Sequence, residues 1–426
     1  MDTVAGPTQA YGLDATVQRH GDVLIGGSPL ALFRLTPAGS RLIDRIASGA
    51  PVAGSPLIDR LVDAGVLHPR PAPDASPFTV ADVTVVVPTL GPPAHLPDGE
   101  VLLVDDGSDP PVPGAAIRLD HNQGPAAARN AGLASVTTPL VAFVDGDVDT
   151  GAGDAWLEPL LAHFADPRVA LVAPRVVTPG AGYEGDHSPL DLGPQPARIR
   201  AGTRVSYVPA AAIVCRTDVV REVGGFDATL RVGEDVDLVW RLDAAGWRCR
   251  YEPSVVVHHD PRPTWRGWLR QRVTYGRSAA PLAERHPGAL APLRMSGWSV
   301  ATWALPAIGR PLAGAAVGFA SAAALVKKLP HVPPRVAFTL AARGNLFAGT
   351  QLAQAVRRAW WPILAVAAFR SRSARRVLLA SALAARHPLR VADDVAYSVG
   401  VWSGVIEART IGPLVPHLAP WPGRRT

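Results

Sequence analysis

Val141-Ala142-Phe143-Val144-Asp145-Gly146-Asp147-Val148-Asp149 is a run of apolar residues that ends abruptly in carboxylates two residues apart. A segment apolar at every position suits a strand buried on both faces of a sheet. Three further runs of the same kind, Val83 to Val87, Val101 to Val104 and Val169 to Ala173, are spaced so that helix-length segments fit between them. The pattern predicts an α/β domain built on a parallel sheet.

In an open α/β sheet, ligands gather beyond the carboxyl ends of the strands, and acids stand at those ends here. Val101-Leu102-Leu103-Val104 runs into Asp105-Asp106-Gly107-Ser108. A carboxylate there can accept hydrogen bonds from a nucleobase or from ribose hydroxyls, while Gly107 lets the chain turn away; taken alone, the string is an ordinary turn. Asn122-Gln123-Gly124-Pro125-Ala126-Ala127-Ala128-Arg129-Asn130-Ala131-Gly132 opens a helix with small residues and presents Arg129, whose guanidinium fork suits a diphosphate. The plain alternative is a solvated arginine on a helix.

Asp145 and Asp147 can hold Mg²⁺ or Mn²⁺ through oxygen, with phosphate oxygens and water completing the octahedron. A lone Asp-Gly-Asp is a common loop, and it gains meaning by following Asp105 and Arg129 at one strand–helix unit each. Val223-Gly224-Gly225-Phe226-Asp227 then precedes Gly233-Glu234-Asp235-Val236-Asp237-Leu238. Asp235, at the start of a helix, can be kept ionised by the helix N-terminus and still take a proton from a hydroxyl. Glu234 and Asp237 read as N-terminal helix charges.

The strings VDDGS, NQGPAAARNAG, DGD, GGFD and GEDVDL stand in the order found in family 2 glycosyltransferases of the GT-A fold, and from about Val83 to His259 the chain resembles that family. The resemblance implies sugar transfer from a nucleotide-sugar donor by a single inverting displacement. By the same match, Pro88, Asp105, Asp106, Arg129 and Asp145 bind the nucleotide-sugar. Asp145, Asp147 and His258, which follows Val255-Val256-Val257, hold the divalent metal, and Asp235 is the catalytic base. Processive synthases of the family show Gln-x-x-Arg-Trp; Arg270-Gln271-Arg272-Val273-Thr274-Tyr275-Gly276 stands in the corresponding region, which argues against a long-polymer synthase.

Upstream, Pro69-Arg70-Pro71-Ala72-Pro73 marks a linker. Before it, Thr16 to Arg19 and Val23 to Gly26 read as a hairpin, Leu32 to Leu35 as a strand, and Thr36-Pro37 as the cap of a helix through Leu42, Ile43 and Ile46. A second helix through Leu57, Ile58, Leu61 and Val62 and a strand at Val66-Leu67-His68 complete a small winged-helix-like arrangement. The second helix carries as much acid as base, which disfavours nucleic acid as a partner. The order of elements resembles the PqqD-like peptide-recognition domains, which add a peptide as an edge strand.

Downstream, Ser296 to Val326 carries Arg310 as its one charge, and its halves, Gly297 to Gly309 and Pro311 to Val326, are each shorter than the ~20 residues that cross a bilayer. Ala359 to Phe369, opening on Trp360-Trp361 between arginine pairs, reads as an interfacial helix; its plain alternative is a buried helix of a soluble domain. The formal charge is +6, with the cations gathered after Pro261 and acids in the middle third, an arrangement suited to anionic lipid or polyphosphate. Cys215 and Cys249 form no metal or disulfide pattern, and no signal peptide is expected.

The chain therefore divides into a PqqD-like domain and linker over 1–77, a GT-A domain over 78–285 and a helical, membrane-associated region over 286–426. This arrangement resembles the glycosyltransferases of the mycofactocin system, which decorate a peptide-derived redox cofactor with glucose units. The expectation is a cytoplasmic enzyme at the inner face of the cell membrane, taking a nucleotide-sugar donor, a peptide-derived acceptor and a peptide or biosynthetic partner at its N-terminal domain. The alternatives are a membrane glycolipid or polysaccharide transferase and a non-catalytic peptide-binding scaffold.

Overall fold

The computed structural model describes residues 8–180, 185, 188–261 and 264–419. The chain forms two compact units, Met1–Arg262 and Pro263–Thr426.

The first unit opens with β1 (Thr8–Leu13), β2 (Gln18–His20), β3 (Val23–Gly26), β4 (Ala31–Arg34), helix α1 (Pro37–Ala47), β5 (Val52–Ala53), helix α2 (Pro56–Asp63) and β6 (Leu67–Arg70). Strands β2, β3 and β4 make an antiparallel meander, and β1 lies between β5 and β6. Both helices begin as their sequences dictate: the Thr36 hydroxyl accepts from the Gly39 amide and the Ser55 hydroxyl from the Ile58 amide, each with proline in the first turn. Leu24, Ile43, Ile46, Ile58, Leu61 and Val66 close a small core of their own.

The acids of α2 have specific partners. Asp59 accepts from Arg168 at 2.7 Å and Arg248 at 3.2 Å, and Asp63 accepts from Arg198 and Arg248, each at 2.9 Å. Asp14 joins buried His68 to Arg204. The acidic helix surface thus faces arginines of the neighbouring sheet, which accounts for a charge balance unsuited to a phosphate backbone.

That sheet contains β7 (Val83–Thr89), β8 (Val101–Asp105), β9 (Ile117–Arg118), β10 (Leu140–Val144), β11 (Val148–Asp149), β12 (Val169–Val177), β13 (Ala197–Arg198), β14 (Ala212–Arg216) and β15 (Arg248–His259), in the order β11-β15-β12-β14-β10-β7-β8-β9 with β13 on β15. Between strands run α3 (Pro125–Ser135), α4 (Glu158–Leu161), α5 (Thr217–Glu222) and α6 (Glu234–Ala244). The expected apolar runs are the strands β7, β8, β10 and β12. The expectation of a parallel sheet holds for β7 with β8 and β10, and for β12 with β15, but β14 runs antiparallel between β10 and β12. The reason is local: the Asp145 amide donates to Ala211 O just past the end of β10, so the strand leaving that point returns along β10. Helix α3 lies close on the sheet, since a Cβ at Gly132 would come within 2.4 Å of Val86.

The second unit is helical: α7 (Trp265–Arg277), α8 (Ala279–Arg285), α9 (Gly297–Ala307), α10 (Pro311–Lys328), α11 (Pro334–Ala355), a π-helical turn Val356–Trp360, α12 (Trp361–Ala368), α13 (Arg372–Ala384) and α14 (Pro388–Ala408). Gly276 of α7 and Gly400 of α14 let those helices touch backbone to backbone, since a Cβ on either would fall about 2.0 Å from the other's chain. No described helix is long and apolar enough to cross a membrane.

Candidate active site

Asp105 and Asp106 close β8, and neither is an open ligand. Asp105 is fully buried and accepts from the amides of Ser108 and Val112 and from Arg118 at 2.6 Å. These bonds outweigh its burial and hold its carboxyl low, at about 2. Asp106 accepts from the amides of Gln123 and Gly124, both at 2.8 Å, and so fixes the residues that begin α3. Pro88 is buried in β7 opposite Val104, one residue before Thr89, whose carbonyl accepts from the Asp106 amide. These three residues shape the carboxyl ends of β7 and β8 and the loops that follow.

Arg129, on α3, is 3% exposed and uses its fork inside the protein. One terminal nitrogen donates to Asp145 Oδ1 at 2.6 Å and the other to Glu234 Oε1 at 2.7 Å, with the Phe226 ring 5.4 Å from the guanidinium carbon. The fork thus joins two carboxylates, one at the end of β10 and one at the start of α6. Asn130, the next residue, exchanges two hydrogen bonds with the backbone of Phe226, tying the Gly-Gly-Phe-Asp turn to the same helix. Asp237 accepts from Arg241, which donates in turn to Val223 O and Gly225 O. Four separate strings of sequence therefore meet around a single guanidinium.

Gly146 sits where a Cβ would press on Pro93 at 3.0 Å, and its carbonyl accepts from the amides of Ala94 and His95. The side chains of Asp145 and Asp147 remain partly open, at 31% and 37%. Strand β15 brings a histidine to Asp147, and it is His259: its Nε2 lies 3.4 Å from Asp147 Oδ2. His258 is exposed and pairs through its backbone with Asp149. Two half-open carboxylates and a neighbouring imidazole are the kinds of group that would suit a divalent ion, whose other ligands would have to be supplied from outside the protein. Among the described residues, no three acidic, histidine or cysteine side chains form such a cage by themselves.

Asp235 follows Glu234 in the first turn of α6, after Gly233 in the left-handed region. Its carboxylate accepts from the amides of Ala210, at 3.3 Å, and Val236, at 2.8 Å. Burial, reinforced by the charge of Glu234, pushes its carboxyl up to about 7, while Arg129 pulls the other way. Ala210 reaches Asp235 and Ala211 reaches Asp145, so two consecutive residues span the space between those two acids. Sequence reasoning missed Glu234 as a clamp, Asn130 as a tie and His259 as the inward histidine. For Asn130 the signal was its place one residue beyond Arg129.

A family model described as glycosyl transferase family group 2 matches residues 147–371. A pre-mycofactocin glycosyltransferase of Mycobacterium tuberculosis is 42% identical over 452 aligned residues, covering 93% of this chain and 95% of that one. Glycosyltransferase AglE of Haloferax volcanii is 28% identical over 178 residues, 38% of this chain and 57% of that protein. Among solved structures, a mannosyltransferase of Pyrobaculum calidifontis in complex with GDP-Man and Mn²⁺ aligns over 78% of this chain and 89% of that one, with TM-score 0.44 and 18% identity.

Proposed function

Since the chain belongs to family 2 of the glycosyltransferases, we propose that it moves glucose from UDP-glucose, with inversion, onto a peptide-derived acceptor, the precursor of the mycofactocin redox cofactor. The acceptor follows from the relative of Mycobacterium tuberculosis, which is similar along nearly the whole chain. The observation that carries the catalytic reading is the Arg129 fork, which holds Asp145 together with Glu234, the neighbour of Asp235 in the chain.

Asp235 takes the proton of the acceptor hydroxyl, and the freed oxygen attacks the anomeric carbon from the face opposite the diphosphate. The bond from that carbon to the phosphate oxygen breaks, its electron pair leaving with the nucleoside diphosphate, and no enzyme nucleophile takes part. A carboxyl lifted to about 7 is well matched to this work near neutral pH. Asp145 and Asp147, with His259 rather than His258 beside them, hold Mg²⁺ or Mn²⁺, which when bound acts as a Lewis acid toward the departing diphosphate. Asp105, Asp106 and Pro88 keep the donor loops in shape.

The N-terminal module, PqqD-like in this reading, takes the peptide part of the acceptor or a biosynthetic partner. Strand β4 lies at the edge of its meander, with Leu30 and Leu32 exposed there. The enzyme works in the cytoplasm at the inner face of the cell membrane. The test is a screen of nucleotide-sugars with Mg²⁺ or Mn²⁺ against the purified chain, followed by mass measurement of the acceptor. A hexose gained from UDP-glucose is expected; a gain from another donor alone, or from none, overturns the proposal.

A further inference from the structure

We infer that helices α9 to α13 form an anchor that sinks into one leaflet of an anionic phospholipid bilayer. The inference rests on the proposed location at the membrane face, but on neither the donor nor the acceptor.

The first unit packs in the ordinary sense, with Ile43, Leu61, Phe143 and Leu171 inside. Within the second unit, α10 to α13 are inverted. Along α10 the buried positions are Gly314, Ser321 and Ala322, while Leu312 is 86% exposed and Phe319 65%. Along α11 alanines are buried at 337, 348 and 355 while Leu346 and Phe347 face outward, and along α13 Ala374 and Ser381 are buried while Leu379 and Leu383 are exposed. Helix α12 buries no residue, and Phe369 just beyond it is 88% exposed.

One polar cluster, by contrast, is turned inward. The Asn345 side chain accepts from the Ser299 hydroxyl and donates to that of Ser321, both at 2.9 Å, and the Asn345 carbonyl accepts from the Trp303 indole. Small residues at helix contacts, internal hydrogen bonds and large apolar side chains outside are the arrangement adopted where the solvent is hydrocarbon.

Depth and charge identify the kind of surface. The uncharged run from Pro311 to Val326 is about 24 Å long as a helix, short of the ~30 Å hydrocarbon core, so it reaches into one leaflet. No aspartate or glutamate lies between Glu284 and Asp393. Lys327 and Lys328 are exposed at the end of α10, and Arg372, Arg375 and Arg376 in the opening turns of α13. Cationic helix ends on helices with apolar outer faces complement anionic headgroups above acyl chains. A second copy of the chain would instead set cations against cations.

The test is flotation of the full chain with phosphatidylglycerol-containing vesicles and with pure phosphatidylcholine vesicles. The chain should float with the anionic vesicles and lose binding as salt rises. Phe319→Glu with Phe369→Glu should lower the bound fraction at least about tenfold, with circular dichroism unchanged because both positions are exposed. Arg372→Ser with Arg375→Ser and Arg376→Ser should weaken binding to the anionic vesicles about fivefold per cation, and binding to phosphatidylcholine little. A wild-type chain that stays with the buffer, or that forms a dimer which Phe319→Glu dissociates, overturns the anchor. Donor turnover measured on the same samples fails separately if the transferase reading is the one at fault.

Discussion

Replacing Arg129 with methionine tests the junction on which the site depends. The side chain is 3% exposed and donates to Glu234, itself only 8% exposed, and to Asp145. Methionine fills much of the volume but leaves Glu234 as a buried carboxylate stripped of its cation. Removing one partner of a buried pair costs about 3–5 kcal/mol, and a domain of this size loses about 2–4 °C of Tm per kcal/mol. Thermal unfolding of the first unit should therefore fall by on the order of 10 °C. The second consequence is electrostatic. The charge of Arg129 favours ionised Asp235, so its loss lifts that carboxyl further. The acid limb of the rate profile, expected near pH 7 in the native enzyme, should move toward alkaline pH by about one pH unit. Arg129→Lys, which keeps the charge but reaches one carboxylate at a time, should fall between the two. Melting scans and the pH dependence of kcat/KM decide the matter: an Arg129→Met enzyme melting within about 1 °C of the wild type, with its acid limb unmoved, refutes the reasoning.

Asp147→Ala should weaken donor binding at least about tenfold in the presence of Mn²⁺ and little in its absence, as read by calorimetry; equal losses in both conditions would count against a metal at this position. Arg248→Met removes the cation shared by Asp59, Asp63 and Asp166, so amides of α1 and α2 should exchange with deuterium faster. Unchanged exchange would show that these ion pairs do not hold the N-terminal module to the sheet.

The sequence discloses those features that are local. Each apolar run that ends in an acid is a strand with that acid at its carboxyl end, because burial on both faces and a following turn are written into neighbouring residues. Thr36 and Ser55 mark their helices for the same reason. Partner choice is not local. Arg129 carries the charge that a diphosphate needs, yet β10 and α6 bring two carboxylates to it first. Asp105 has the right chemistry for a nucleotide, but the amides of Ser108 and Val112 already occupy it. Between His258 and His259 the inward side is a matter of strand parity, and the pairing of β12 with β15 slips between Pro174 and Arg175, so counting along the strand cannot assign it. The antiparallel β14 escaped notice because Ala212 to Arg216 is as apolar as its parallel neighbours and direction leaves no mark on composition.

In the proposed mechanism Asp235 removes the acceptor proton at a site it shares with Asp145 and Asp147. Hexose transfer by Asp235→Asn, followed by mass spectrometry of the acceptor alongside calorimetry of UDP-glucose binding, tests it most directly. The prediction is donor affinity close to that of the wild type with transfer lowered about 10²- to 10⁴-fold; transfer at the native rate would contradict it.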